Sequence, residues 1–124
     1  MHNHKIIHFE IPSKDPNRAM NFYSNILGWS FQAWEGPMDY WFTKAGPKNA
    51  PGIEGAITKK ESEDDIVINT IGVSDIDNVI IKIKKHGGTI INPKHAVPGV
   101  GYLAYFKDLD NNLFGLMQED PNAK

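Results

Sequence analysis

From Lys5 to Ile11 the apolar residues Ile7, Phe9 and Ile11 alternate with Ile6, His8 and Glu10, the period of a strand with one dry face. Asp15-Pro16 then reads as a helix N-cap followed by proline at the first helical position, where its missing N–H costs nothing. Ala19, Phe22, Tyr23, Ile26 and Leu27 fall on one helical stripe, and Gly28 supplies the left-handed residue that ends it. Short strands are predicted near Trp29 to Trp34, Asp39 to Lys44 and Ile53 to Lys59, separated by Gly-Pro and Pro-Gly punctuation.

After the charged stretch from Lys59 to Asp65 the same order begins again. Ile66 to Val73 reads as a strand and Asp75 as an N-cap, with Ile76, Val79, Ile80 and Ile83 as one apolar stripe and Gly87-Gly88 as the stop. Lys82, Lys84 and Lys85 stand at the C-terminal end of that helix, where the macrodipole favours positive charge. Strands follow at Thr89 to Asn92, Gly101 to Phe106 and Leu113 to Glu119, the last two joined by the turn Asp108-Leu109-Asp110-Asn111-Asn112. The chain is therefore an internal repeat with a period of about 60 residues, strand-helix-strand-strand-strand twice. Ile11 with Ile71, Asp15 with Asp75, Gly28 with Gly88, Tyr40 with Tyr102 and Gly55 with Gly115 mark the offset. Neither half carries enough apolar surface to close a core alone, so residues 1–124 read as a single α+β domain of two modules, 5–59 and 66–119. A ferredoxin-like βαββαβ domain is the runner-up and accounts for fewer strands.

Composition narrows the function classes. The 124 residues contain no cysteine, which removes thiolate metal sites, cysteine nucleophiles and disulfides together. Fifteen acidic against thirteen basic residues leave no excess of positive charge for nucleic acid. No apolar run approaches the roughly 20 residues that cross a bilayer, and the polar start Met1-His2-Asn3-His4-Lys5 is unlike a signal peptide. The expectation is a cytoplasmic protein that handles a small molecule.

The ordered set His8-Phe9-Glu10-Ile11, Asp15-Pro16, Arg18-Ala19-Met20-Asn21-Phe22-Tyr23, Leu27-Gly28-Trp29, Gly72-Val73-Ser74-Asp75-Ile76-Asp77, Gly87-Gly88 and Phe106-Lys107-Asp108-Leu109-Asp110-Asn111-Asn112 resembles the vicinal oxygen chelate superfamily. That superfamily holds glyoxalase I, bleomycin-resistance proteins and extradiol dioxygenases. The Pro98-Gly99-Val100-Gly101 segment is similar to that of small glyoxalase-related members. The resemblance implies two tandem βαβββ modules whose sheets curl around a ligand cavity, often within a homodimer. It also implies that metal-dependent members hold a divalent cation with one side chain from the first and one from the last strand of each module. Carried onto this chain, those positions fall on His8, near Gly55, near Ile68 and on Gly115, and only His8 offers a donor. A shift of one residue would bring Glu54 or Asn69 into two of them, but in a strand it also turns the side chain to the other face. No cofactor is expected, and a divalent metal is the minority alternative.

His8 and Glu10 lie on one strand face, opposite the residues the helices need, and stand as candidate acid and base or as hydrogen-bond partners of a polar ligand. The rival reading is that they satisfy each other or neighbouring groups. Thr70 holds the repeat-related position of Glu10 and adds a hydroxyl; Tyr40 and Tyr102 are candidate ligand contacts because the repeat places them symmetrically. Pro93 to Gly99 reads as a restrained loop, either a plain surface loop or a cover over the cavity mouth with Lys94 and His95 available to an anionic ligand. His2, His4, His8 and Glu10 share one strand parity, and an N-terminal metal site there is outweighed by simple exposure. No Gly-rich loop with nucleotide spacing sits between a strand and a helix.

Three functions remain open from the residues. The first is a cavity that binds a small organic molecule without the family's metal. The second is a metal-dependent glyoxalase-like lyase or isomerase acting on a vicinal dicarbonyl or its thiol adduct, and the third a drug-sequestering resistance-type protein. The aromatic-rich strands also predict a homodimer.

Overall fold

Both helices begin where an aspartate carboxylate receives an orphan backbone N–H. In the computed structural model, which describes residues 4–124, Asp15 accepts from the amide of Arg18 at 3.2 Å and Asp75 from that of Asn78 at 3.1 Å. Helix α1, Pro16–Leu27, closes on Gly28, whose φ of 74° lets its N–H turn back to the Ser24 carbonyl. Helix α2, Ile76–Lys85, ends with its lysines in the last turn, before Gly87 at φ 94°.

Around α1 stand the strands β1, Ile6–Ser13, β2, Ser30–Ala33, β3, Tyr40–Lys44, and β4, Ala56–Lys59. Around α2 stand β5, Ile68–Gly72, β6, Thr89–Val97, β7, Gly101–Lys107, and β8, Leu113–Glu119. The fold is thus α+β, with two βαβββ modules in tandem, and it has more strands than a ferredoxin-like domain. Contacts group residues 8–67 into one unit and residues 68–124, with the segment up to residue 7, into the other. The strand order of the first is β2-β3-β4-β1 and that of the second β6-β7-β8-β5. In each, the first and last strands run parallel and the others antiparallel.

Register refines the repeat. Glu10 pairs with Ala56 in the first module and Thr70 with Gly115 in the second, so the offset is 60 residues at the first strands and 59 at the last. The expected equivalence of Gly55 with Gly115 is therefore corrected: Ala56 is the counterpart of Gly115. Tyr40 and Tyr102 are not equivalent either. Phe42 pairs with Ala56 as Tyr105 pairs with Gly115, which makes Leu103 the counterpart of Tyr40.

On the helix side of the second module Val73, Ile76, Ala104 and Leu116 are buried, with Ile71, Val79, Ile80, Ile83, Tyr102 and Phe106 packed against them. Tyr102 thus belongs to the helix-side cluster, and the Lys94 ammonium lies 4.6 Å from its ring centre. In the first module Trp29 is the hub, with ring centres of Tyr23, Phe9 and Phe31 at 5.3, 6.4 and 6.4 Å, and Ile57 and Thr43 are buried. The α1 stripe is only partly covered: Tyr23 packs on Trp29, but Phe22, Ile26 and Leu27 remain 57%, 55% and 55% exposed.

The segment expected as a cavity-covering loop is largely strand. β6 continues to Val97, pairing His95 with Leu103 and Ala96 with Tyr102. Of two register shifts in β6, the one between Asn92 and His95 absorbs Pro93, which has no N–H to give the ladder, and only the turn around Gly99 stays outside.

Candidate functional site

Residues two apart on a strand share a face, and paired residues on neighbouring strands do too. The β1–β4 and β3–β4 registers therefore place His8, Glu10, Ala56, Phe42, Thr58 and Tyr40 on one face of the first module, opposite α1. Tyr40 is rooted across from Thr58 and reaches back along that face. Its hydroxyl oxygen lies 2.5 Å from Nε2 of His8 and donates to Oε2 of Glu10 at 2.9 Å. The imidazole and phenol planes lie 13° apart with ring centres 6.1 Å apart.

His8 is half-buried, and burial lowers its pKa from the ordinary 6.5, outweighing the Glu10 carboxylate and a hydrogen bond to the Glu54 backbone, which raise it. The ring donates to the Glu54 carbonyl, and with its proton there a neutral imidazole offers a lone pair to Tyr40. The phenol has one proton for two acceptors, Nε2 and Oε2. A second proton on the imidazole satisfies all three groups. The arrangement can therefore take up or release a proton with little movement of heavy atoms.

The register also locates Glu54, which lies two residues before Ala56 and so level with His8. Gly55, the position expected on the His8 side, faces Phe9 instead: a Cβ there would lie 2.4 Å from the Phe9 carbonyl oxygen and 2.5 Å from its ring. The Glu54 carboxylate is engaged elsewhere. It accepts from the Ala45 amide at 2.9 and 3.2 Å and from the Thr43 hydroxyl at 2.9 Å, while that hydroxyl accepts from the Gly55 amide.

In the second module Thr70 is buried at the place corresponding to Glu10, and a Cβ on Gly115 would meet its hydroxyl at 2.9 Å and the Tyr105 ring at 3.3 Å. Ile68 and Gly115 bring no donor side chain. His95 is exposed, its Nδ1 3.1 Å from the Pro93 carbonyl oxygen, and Lys94 pairs with Asp77 at 3.0 Å. Among the described residues no group of three or more His, Asp or Glu side chains is placed to hold a metal ion. These donors do not fit the four-ligand centre of the metal-dependent relatives. His2, part of the N-terminal cluster considered above, lies outside the described residues.

The structure thus brings His8, Glu10 and Tyr40 together and places Thr70, Tyr102 and His95 in the other module. Trp34 and Phe42, which share the Tyr40 face, stood out in the sequence only as part of the aromatic-rich strands, and Glu54 only as the one-residue alternative to Gly55. Alternation would have found the rings, since Tyr40 and Phe42 are two apart and the Trp34 amide donates to the Tyr40 carbonyl at 2.8 Å.

Residues 5–116 match the sequence profile of the Glyoxalase/Bleomycin resistance protein/Dioxygenase superfamily. A "Glyoxylase-like domain-containing protein" of Didymella fabae is 32% identical over 111 residues, covering 83% of this chain and 84% of that protein. Among solved structures, hypothetical protein BH1468 from Bacillus halodurans C-125 superposes with a TM-score of 0.72 at 16% identity, covering 97% of both chains. The methylmalonyl-CoA epimerase of Mycobacterium tuberculosis gives 0.70 at 13% identity, over 93% of this chain and 87% of that one. At these identities the structural likeness establishes the fold.

Proposed function

Because the chain belongs to the glyoxalase, bleomycin resistance protein and dioxygenase superfamily, we propose that it binds a small organic molecule on the first-module face that carries His8, Glu10 and Tyr40, and does so without the family's metal. The observation that carries this reading is the continuous His8–Tyr40–Glu10 chain, a polar device set among aromatic rings on the face the helix does not use. A half-buried imidazole joined through a phenol to a carboxylate is an expensive way to fill a core and a direct way to orient a polar ligand. The donor set supports the metal-free form over a metal-dependent lyase or isomerase, since the Glu54 carboxylate is turned to the Ala45 amide.

We further propose a cytoplasmic homodimer. No helix of the described residues is long and apolar enough to cross a membrane, and the exposed Phe22, Ile26 and Leu27 give a second copy apolar surface to cover.

Native mass spectrometry of protein purified without added metal tests both readings at once. A dimer that carries an organic adduct, lost in Tyr40→Phe or His8→Ala, is the expected result. An adduct retained in both variants places the ligand elsewhere, and a stoichiometric metal lost in His8→Ala overturns the metal-free form.

A further inference from the structure

Three aromatic rings share the face that carries Glu10. Phe42 pairs with Ala56, the residue that also pairs with Glu10, and Tyr40 stands two residues before Phe42 on the same strand face. Trp34 joins them across the β2–β3 hairpin, where its amide donates to the Tyr40 carbonyl. The Tyr40 ring meets Trp34 at 5.9 Å and Phe42 at 5.2 Å, each pair 70° apart, so adjacent π systems stand nearly at right angles. Rings in that relation next to a carboxylate match the chemistry that receives a weakly hydrated cation. The quadrupole of each ring puts negative potential on its face, and the carboxylate supplies the balancing charge.

Of the charged side chains on these strands, Glu10 shares the face of the rings, Lys44 shares the strand face of Phe42 and is exposed, and the Glu54 carboxylate is turned to the Ala45 amide and the Thr43 hydroxyl. An anionic ligand would meet Glu10 at close range.

We propose that the ligand of this face carries a cationic nitrogen, a protonated amine or quaternary ammonium, seated against Trp34, Tyr40 and Phe42 with Glu10 as its counter-charge. This rests on the reading that the His8–Tyr40–Glu10 face is where the ligand binds, and adds the charge and class of the ligand. A neutral aromatic ligand would also stack on these rings, but it would gain nothing from the carboxylate.

The test is an NMR titration of the whole chain with three probes of one shape: choline, its neutral isostere with carbon in place of the ammonium nitrogen, and the corresponding carboxylate. The readouts are the Tyr40 ring signals and the Trp34 indole N–H, assigned through Trp34→Phe. Choline is expected to bind at least about tenfold more tightly than the isostere, and the carboxylate more weakly than both. Glu10→Gln should cut the preference for choline to the roughly two- to fivefold that the rings alone supply, while leaving the melting temperature close to that of the parent. If the isostere or the carboxylate binds as tightly as choline at these signals, the cation inference fails and the ligand face stands. A failure of all three probes to move the signals also overturns the cation inference. If a mixed fragment set then moves none of them either, the ligand face falls with it.

Discussion

The Tyr40 hydroxyl joins Nε2 of His8 to Oε2 of Glu10, two groups of one strand bridged by a residue 30 positions further along the chain. One phenolic proton serves two acceptors there, so the protonation of His8 decides which contacts in the bridge are complete. That makes the bridge accessible to experiment through its proton as well as through the binding proposed for it.

His8 should titrate below 6.5, because burial outweighs the groups that raise its pKa. Glu10→Gln removes a raising influence, so the midpoint should fall further. The sign for stability follows: with the folded value below the unfolded one, the imidazole's contribution is present above the unfolded pKa and is lost as pH falls toward the folded one. Imidazole proton shifts followed against pH would check this, and a midpoint above 6.5 in the parent contradicts it.

Tyr40→Phe should leave the ring contacts in place and remove the bridge. Loss of a charged hydrogen-bond network at a ligand site costs about 1.5 to 3 kcal/mol of affinity, whereas the fold should lose on the order of 1 kcal/mol. Calorimetric binding and thermal melts of the variant measure the two effects separately. A melt lowered as far as that of Phe9→Ala would make the bridge a structural element.

Gly55→Ala should destabilise the first module by about 1 to 3 kcal/mol through overpacking, since the new methyl would meet the Phe9 backbone and ring with no flexible side-chain end to yield. Chemical denaturation provides the value. Phe9→Ala, which removes a ring from the Trp29 cluster, should cost about 3 kcal/mol. An alanine at 55 that leaves stability unchanged would mean that β1 and β4 can move apart there.

Sedimentation at roughly tens of micromolar should give twice the 13.9 kDa chain mass. Phe22→Glu with Ile26→Lys should shift the species toward monomer without lowering the melting temperature of the monomeric unit, because both side chains are more than half exposed. A parent that sediments as a monomer removes the homodimer.

Much of the architecture was legible. Asp15-Pro16, Asp75 and Gly28 are local signals whose chemistry needs no tertiary context, and the structure uses each as the sequence suggests. His8 and Glu10 were legible as a pair because strand parity alone puts them on one face. What the sequence did not disclose depends on register or on the third dimension. Pro93 reads as a break in a strand, yet bulges let β6 run through it. Tyr102 lies only near the place that the repeat gives to Tyr40 and faces the helix, and the apolar stripe of α1 is wider than the surface available beneath it. The bridge from Tyr40 to β1 required knowing that β4 lies between them and at what offset.

The offset between the modules has a practical side. Anyone who transplants side chains from one module to the other by counting a constant distance along the chain will succeed on β1 and β5 and fail on β4 and β8, where each graft arrives on the opposite face. A copy of the Tyr40 chemistry in the second half would have to be written at Leu103, with Thr70 changed to glutamate and Ile68 to histidine, and leaving Tyr102 untouched. Such a doubled protein would show whether this tandem scaffold can host two copies of one polar cluster or whether its halves tolerate only the side chains each now carries.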